Sequence, residues 1–192
     1  MKSVDTKTRI LDVAQDLIQR LGVNGMSYKD ISEVVGIRKA SIHSHFPKKD
    51  DLLLALLDRY NDRILSVLDS IITSRESPEV KLRRYFSLYE ATLCSGEQDK
   101  VCLYAMVGAE LATLNHPLIE RVRNFYQENE ARLTIILNEG LQTNDFQFAG
   151  DSQTTATLIF SLLEGGMLIA RAHGGSKKFR SVIEQAIELL KG

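Results

Sequence analysis

The chain has 192 residues, 44% hydrophobic and 26% charged, with a formal net charge of −1. This is the balance of an ordinary globular protein of one or two small domains, and it excludes a disordered, fibrous or strongly basic chain. Two cysteines, Cys94 and Cys102, are too few for a disulfide scaffold or a zinc site. The polar start Met1–Arg9 carries no apolar signal segment, and no apolar run approaches the ~18 residues of a membrane span, so a cytoplasmic protein is expected.

Helical periodicity begins with Ile10, Val13, Ala14, Leu17, Ile18 and Leu21, an i, i+3, i+4, i+7 stripe, with Gly22 placed for a left-handed C-cap. Ser27 followed by Asp30 is a capping box and predicts a short helix with Ile31, Val34 and Val35 as its apolar side, ended by Gly36. A second short helix is expected from Lys39 to Phe46, with Ile37, Ile42 and Phe46 inward, and Pro47 stops it. Asp50 and Asp51 favour the start of a long helix that runs to about Thr73. Ser74 to Pro78 then reads as a joint. Beyond it, helices are predicted over Pro78–Cys94, Val101–Leu114, Pro117–Gly140 and Asp151–His173, with a last one through Phe179, Val182, Ile183, Ala186, Ile187 and Leu190.

A helix, a tight turn at Gly36 and a short helix bounded by proline make a helix-turn-helix. The second helix leaves Lys39, Ala40, Ser41, His43, Ser44 and His45 outward, and no acid occurs from Val34 to Lys49. Residues 1–63 hold 11 Lys and Arg against 9 Asp and Glu, while the rest holds 13 against 16, so the basic excess sits at one end. Small residues, hydroxyls, imidazoles and positive charge without acids suit a groove and its phosphates. A solvated turn between packed helices is the plainer alternative.

The stretch Ser27-Tyr28-Lys29-Asp30-Ile31, then Gly36 through Leu53, with Thr8-Arg9-Ile10-Leu11 and Gly22 before it, resembles the TetR family of regulators over about the first sixty residues. The resemblance implies an all-α protein. An N-terminal three-helix helix-turn-helix domain, residues 1–50 and continuing into a connecting helix to about 73, would bind DNA. Residues 74–192 would form a helical ligand-binding and dimerisation domain. It further implies a homodimeric repressor released from a palindromic double-stranded operator by a small-molecule inducer, with no cofactor, metal or membrane partner. Carried over position by position, the DNA contacts are Ser27, Tyr28, Arg38, Lys39, Ala40, Ser41, His43, Ser44, His45, Lys48 and Lys49. Ser27 would touch a phosphate, Lys39, Ala40 and Ser41 would enter the major groove, and Lys49 would grip a phosphate. His43 and Ser44 stand where the family often has tyrosines, and Arg38 where a small hydroxyl residue is common.

The second half offers Phe86, Tyr89, Cys102, Tyr104, Met106, Phe125, Asn129, Phe160 and Glu164 as ligand-site candidates, with Glu110 on one of the same predicted helices. Core packing explains any one of them as well. Cys102, with Lys100 near it in sequence, reads either as a small buried hydrophobe or as a reactive thiol. Leu162, Gly165, Gly166, Ile169, Ile183 and Ile187 are candidates for a two-fold helix interface. A helical enzyme is the alternative class, but the chain carries no phosphate loop and no nucleophile–base pair that would identify one.

Overall fold

The computed structural model describes residues 5–94 and 100–192, and every regular element among them is helical. In chain order they are α1 (Thr6–Leu21), α2 (Tyr28–Val35), α3 (Lys39–His45), α4 (Lys49–Ile72), α5 (Pro78–Leu93), α6 (Leu103–Gly108), a single 3-10 turn (Leu111–Thr113), α7 (His116–Thr143), α8 (Ser152–Ala172) and α9 (Gly175–Glu188). They form two compact units: Met1–Asp62 with Leu103–Asn124, and Arg63–Cys102 with Phe125–Gly192.

That division departs from the single boundary expected near residue 74. Three short N-terminal helices supply little apolar surface by themselves, and small cores are hard to stabilise. The first unit enlarges its core with α6, which packs on α1, and with Leu103, Tyr104, Val107, Leu118 and Val122, all buried. The Tyr104 hydroxyl donates to the Leu57 carbonyl at 3.0 Å, and its ring lies 5.9 Å from that of Tyr60. Arg9 on α1 donates to the Val35 carbonyl at the end of α2, 2.8 Å away, and Arg59 on α4 pairs with Asp12 at 2.7 Å.

The predicted helix Val101–Leu114 is interrupted: α6 lasts six residues and the 3-10 turn follows it. Gly140, expected to close the long seventh helix, lies inside it. A Cβ there would fall 2.0 Å from the Phe146 ring, so this glycine makes room for a side chain and is not a cap. The helix ends at Thr143, and Asn144 takes the left-handed conformation with φ of 60°.

In the second unit α8 packs on α9, and α5 packs on both. Asp151 caps α8 by accepting the Thr154 N–H at 2.9 Å, and Ser77 caps α5, which opens with Pro78. Contrary to the sequence expectation, α8 is long and apolar enough by length and composition to cross a membrane. One side of it, Ala156, Ile159, Phe160, Leu163, Gly166, Met167 and Ala170, is buried in the chain's own core, as in a core helix.

Lys81 is nearly fully buried on α5, and its ammonium donates to both carboxylate oxygens of Glu139 on α7, at 2.8 and 2.7 Å. Breaking a buried pair by removing one partner is costly, because the other charge is stranded. Glu139 keeps about a third of its side chain exposed, which moderates that penalty. Lys81→Ala should therefore lower unfolding free energy in urea by about 2–3 kcal/mol, and Lys81→Met, which keeps the packed stem, by about half as much.

Candidate nucleic-acid interface and the aromatic cluster of the second unit

The helix-turn-helix is built by local chemistry. Ser27 and Asp30 cap α2 reciprocally: Asp30 accepts the Ser27 N–H at 2.8 Å, and the Ser27 hydroxyl accepts the Asp30 N–H at 3.4 Å. Gly36 then turns with φ of 75°, a left-handed position that favours glycine, while its N–H and that of Ile37 both donate to the Ser32 carbonyl. Ile42 and Phe46 fasten α3 to the core, as their spacing predicts, and Ile37 is half-buried.

With those contacts inside, Arg38, Lys39, Ala40, His43, Ser44, His45 and Lys48 are exposed and Ser41 is half-buried. Ser44 donates its hydroxyl to the Ala40 carbonyl at 2.9 Å, which leaves its lone pairs facing outward as acceptors. His43 stacks on Tyr28, ring centres 4.8 Å apart, with Nδ1 at 3.3 Å from the Pro47 carbonyl. The basic groups Arg38, Lys39 and Lys48 surround an outer face without acids, an arrangement suited to phosphates flanking a groove.

Three expected DNA contacts have other duties in this structure. The Ser27 hydroxyl also donates to Asp30 Oδ2, at 2.6 Å, so the N-terminus of α2 already carries its own carboxylate. The Tyr28 hydroxyl lies 2.9 and 2.8 Å from the carbonyls of Phe46 and Lys48, and bridges the start of α2 to the end of α3. Burial, with Asp51 and Asp50 nearby, pushes this phenol up to about 12. Lys49, expected at a phosphate, sends its ammonium to the carbonyls of Val23 and Met26, at 2.6 and 2.7 Å. Burial lowers its pKa, and Glu110, Asp30 and Asp50 oppose that shift.

The ligand-site candidates fall into two groups. Tyr104 and Met106 belong to the first unit, where Tyr104 is buried with its hydroxyl on the Leu57 carbonyl and Met106 is half-buried. Glu110 is also in the first unit, held to the backbone of Val23 and Asn24. The second unit brings together Phe86, Tyr89, Cys102, Phe125, Asn129, Phe160 and Glu164. Tyr85 and Tyr89 share a contact of 3.4 Å between hydroxyls, Tyr89 reaches Asn129 Oδ1 at 3.4 Å, and the Phe160 ring lies 6.3 and 5.8 Å from those of Tyr89 and Tyr126. Tyr85 was not singled out from sequence; its i, i+4 spacing to Tyr89 was the available signal.

Glu164 is the chemical outlier of that cluster. The residue is half-buried, yet both carboxylate oxygens are out of solvent and meet no N–H or O–H donor among the described residues. Burial pushes its pKa up to about 7, with the nearby Cys102 thiol easing the shift. Cys102 itself is buried, as a small hydrophobe would be.

The interface candidates also divide. Ile183 and Ile187 are buried in their own chain, and a Cβ on Gly166 would meet Val182 and Phe179 at 3.2 and 3.5 Å; these three hold α8 against α9 and are not available to a partner. Leu162 is half-buried, and Ile169 is exposed. The open glycine is Gly165, whose Cβ would meet nothing within 4 Å. With Leu158, Leu162 and Ile169 it forms a stripe spaced 158, 162, 165, 169 along the outer side of α8, to which the sequence reading contributes all but Leu158.

Comparison with known proteins places both halves. Residues 10–56 match the model of bacterial regulatory proteins of the tetR family, and residues 78–186 match the tetracyclin repressor-like C-terminal domain. An uncharacterized HTH-type transcriptional regulator of Bacillus subtilis, YuxN, is 32% identical over 85 residues, 44% of this chain but only 29% of that relative. A TetR-family transcriptional regulator from Agrobacterium tumefaciens superposes with a TM-score of 0.91 at 31% identity, over 97% of each chain. A TetR transcriptional regulator from Legionella pneumophila gives a TM-score of 0.87 at 33% identity over the whole of both chains.

The buried carboxyl of Glu164 makes stability depend on pH. Its folded pKa lies near 7 against an ordinary 4.5, so the folded state holds the proton longer. Its contribution is neutral below about pH 4.5, falls as pH rises towards 7, and is flat above. Glu164→Gln should therefore gain on the order of 3 kcal/mol over the wild type at pH 8 and almost nothing at pH 4.5, in urea denaturation at the two values.

Proposed function

The chain belongs to the TetR family and is a DNA-binding transcriptional regulator, and we propose that it holds a palindromic operator as a homodimer through α3 and leaves it when a small molecule occupies the second unit. The observation that carries this reading is the outer face of α3: six exposed or half-exposed positions without an acid, Lys39 among them, bordered by Arg38 and Lys48. Lys39, Ala40 and Ser41 at its start are the base-reading set, with Lys48 and Arg38 on the phosphates. Tyr28 and Lys49 act from behind, as braces of the motif. The protein works in the cytoplasm, where the operator is, and catalyses no reaction.

Dimerisation is proposed along the outer side of α8. Leu158 and Ile169 are 55% and 57% exposed and are the large apolar residues of the stripe that brackets Gly165, where a partner helix meets no side chain. Two copies related by a two-fold axis would present two recognition helices to successive major grooves, as a palindrome requires. The inducer site is proposed at Tyr85, Tyr89, Tyr126, Asn129, Phe160 and Glu164. An aromatic lining with few polar groups is the usual make-up of a small-molecule site, and Glu164 is a polar group with no N–H or O–H partner among the described residues.

Two measurements test the reading, both on a duplex selected by the wild-type protein from a random-sequence library. Lys48→Ala should reduce the slope of log affinity against log salt by about one, as loss of a phosphate contact does. Lys49→Ala should weaken binding with the slope unchanged. Equal slopes for the wild type and Lys48→Ala would remove Lys48 from the interface. Separately, Ile169→Asp should shift sedimentation from dimer to monomer and abolish tight binding together; a dimeric Ile169→Asp protein moves the interface elsewhere.

A further inference from the structure

The backbone between α1 and α2 is gripped from two sides. On one side Glu110, just past the end of α6, accepts the Val23 N–H with Oε1 at 2.9 Å and the Asn24 N–H with Oε2 at 2.8 Å. The Asn24 amide adds a bond to Thr113 Oγ1 at 3.3 Å. On the other side Lys49, the first residue of α4, donates to the carbonyls of Val23 and Met26. Val23 thus gives its N–H to an anion and its carbonyl to a cation, and Glu110 favours the charged form of Lys49.

The grip is built into the sequence at Gly22. Its φ is 82°, and a Cβ on it would fall 2.1 Å from Glu110 Oε1. Any side chain at this position would displace the carboxylate from the loop. Downstream, the loop runs through buried Met26 into Ser27, the cap of α2, while Lys49 follows directly on the Pro47-Lys48 segment that ends the recognition helix.

We infer that Glu110 is a positioning residue for DNA recognition: without touching DNA, its carboxylate fixes the loop from which α2 and α3 are hung, and so sets how α3 meets the groove. The inference rests on the assignment of α3 to the operator. Base contacts tolerate displacements of only about 0.5 Å, so a loop released at two amides is expected to matter at α3. Removing Glu110 leaves two N–H groups unpaired and takes the nearby anion from Lys49. The expected sign is informative. Deleting a negative charge would by itself strengthen binding to a polyanion, whereas loss of positioning weakens it.

The test compares wild type, Glu110→Gln and Glu110→Ala in the full-length protein, on the selected duplex and on a scrambled one, with protein concentrations set by stoichiometric DNA titration. Glu110→Gln keeps the side-chain length but turns an amide NH₂ towards one of the two loop N–H groups. Both variants should bind the selected duplex at least tenfold more weakly, keep the wild-type salt slope, and bind the scrambled duplex as well as the wild type or better. Amide hydrogen exchange should quicken at Val23 and Asn24 while α7 to α9 stay protected. If Glu110→Ala fails to fold, Glu110→Gln carries the comparison. Wild-type affinity for the selected duplex in a folded variant, or an equal loss on both duplexes, would overturn the inference. A wild type that selects no duplex overturns the DNA assignment and the inference with it, whereas a loss confined to the variants overturns neither.

Discussion

The loop Val23–Met26 has to be held largely from outside: only the Met26 N–H finds a partner within it, the Val23 carbonyl, and unpaired backbone groups are costly wherever they are withdrawn from water. Val23 and Met26 are buried, so water cannot meet the need. The chain meets it with full charges: a carboxylate for the donors and an ammonium for the acceptors, each stronger than a neutral partner. The consequences reach beyond the loop. The carboxylate comes from residue 110 and the ammonium from residue 49, so the N-terminal helices are incomplete without the segment Leu103–Asn124, which is why that segment belongs to the first unit. The helix-turn-helix of this protein is therefore braced by residues some ninety positions away in sequence, and three of its own sequence-suggested DNA contacts, Ser27, Tyr28 and Lys49, bond to the motif that they were expected to extend.

The second unit meets the same physical constraint in two opposite ways. Lys81 is buried and paired, with both oxygens of Glu139 on its ammonium, so the charge stays and α5 is tied to α7. The Glu164 carboxyl is out of solvent with no hydrogen-bond partner among the described residues, so its charge is held off and its proton is retained to about neutral pH. A paired charge fixes a register between helices, whereas an uncompensated carboxyl is a liability to stability, of the kind found where a ligand is to be held. Those features distinguish Glu164 from the paired acids of the same unit, Glu79, Glu139 and Glu184, each of which has an Arg or Lys on it.

Most of the N-terminal geometry could be read from the residues, because local chemistry decides it. The Ser27–Asp30 box, the left-handed turn at Gly36, the stop at Pro47 and the inward Ile42 and Phe46 all act within a few positions along the chain. What could not be read depends on partners distant in sequence. Gly22 reads as the C-cap of α1 and is one, with φ of 82° and its N–H on the Ile18 carbonyl, but the carboxylate of Glu110 that also leaves no room for a Cβ there comes from far along the chain. Gly140 reads as a helix end and is a seat for Phe146. Glu110 and Tyr104 read as lining for a ligand, since an acid and an aromatic on one predicted helix suit a pocket, and both turn to the first unit instead. Cys102 reads as a small buried hydrophobe or a reactive thiol; it is buried, and the carboxyl of Glu164 near it comes from far along the chain.

Adjacent residues of like chemistry show where that boundary lies. Lys48 and Lys49 are identical in type, as are Gly165 and Gly166, but one residue of helix turns a side chain by about 100 degrees. Lys48 is exposed, whereas Lys49 turns back to the loop; Gly165 faces open space, whereas Gly166 admits Val182 and Phe179. Composition and motif matching assign such neighbours together. Periodicity separates them only when the buried stripe is known to within a single position, and for α8 it is not, since the helix is apolar on nearly every side. In α3 the stripe is narrow, Ile42 and Phe46 four apart, so the remaining positions could be assigned outward without ambiguity. The reliability of a sequence-derived site thus follows from the contrast between buried and exposed faces of its helix. That contrast is strong where a protein meets polar DNA and weak where it meets a second apolar helix.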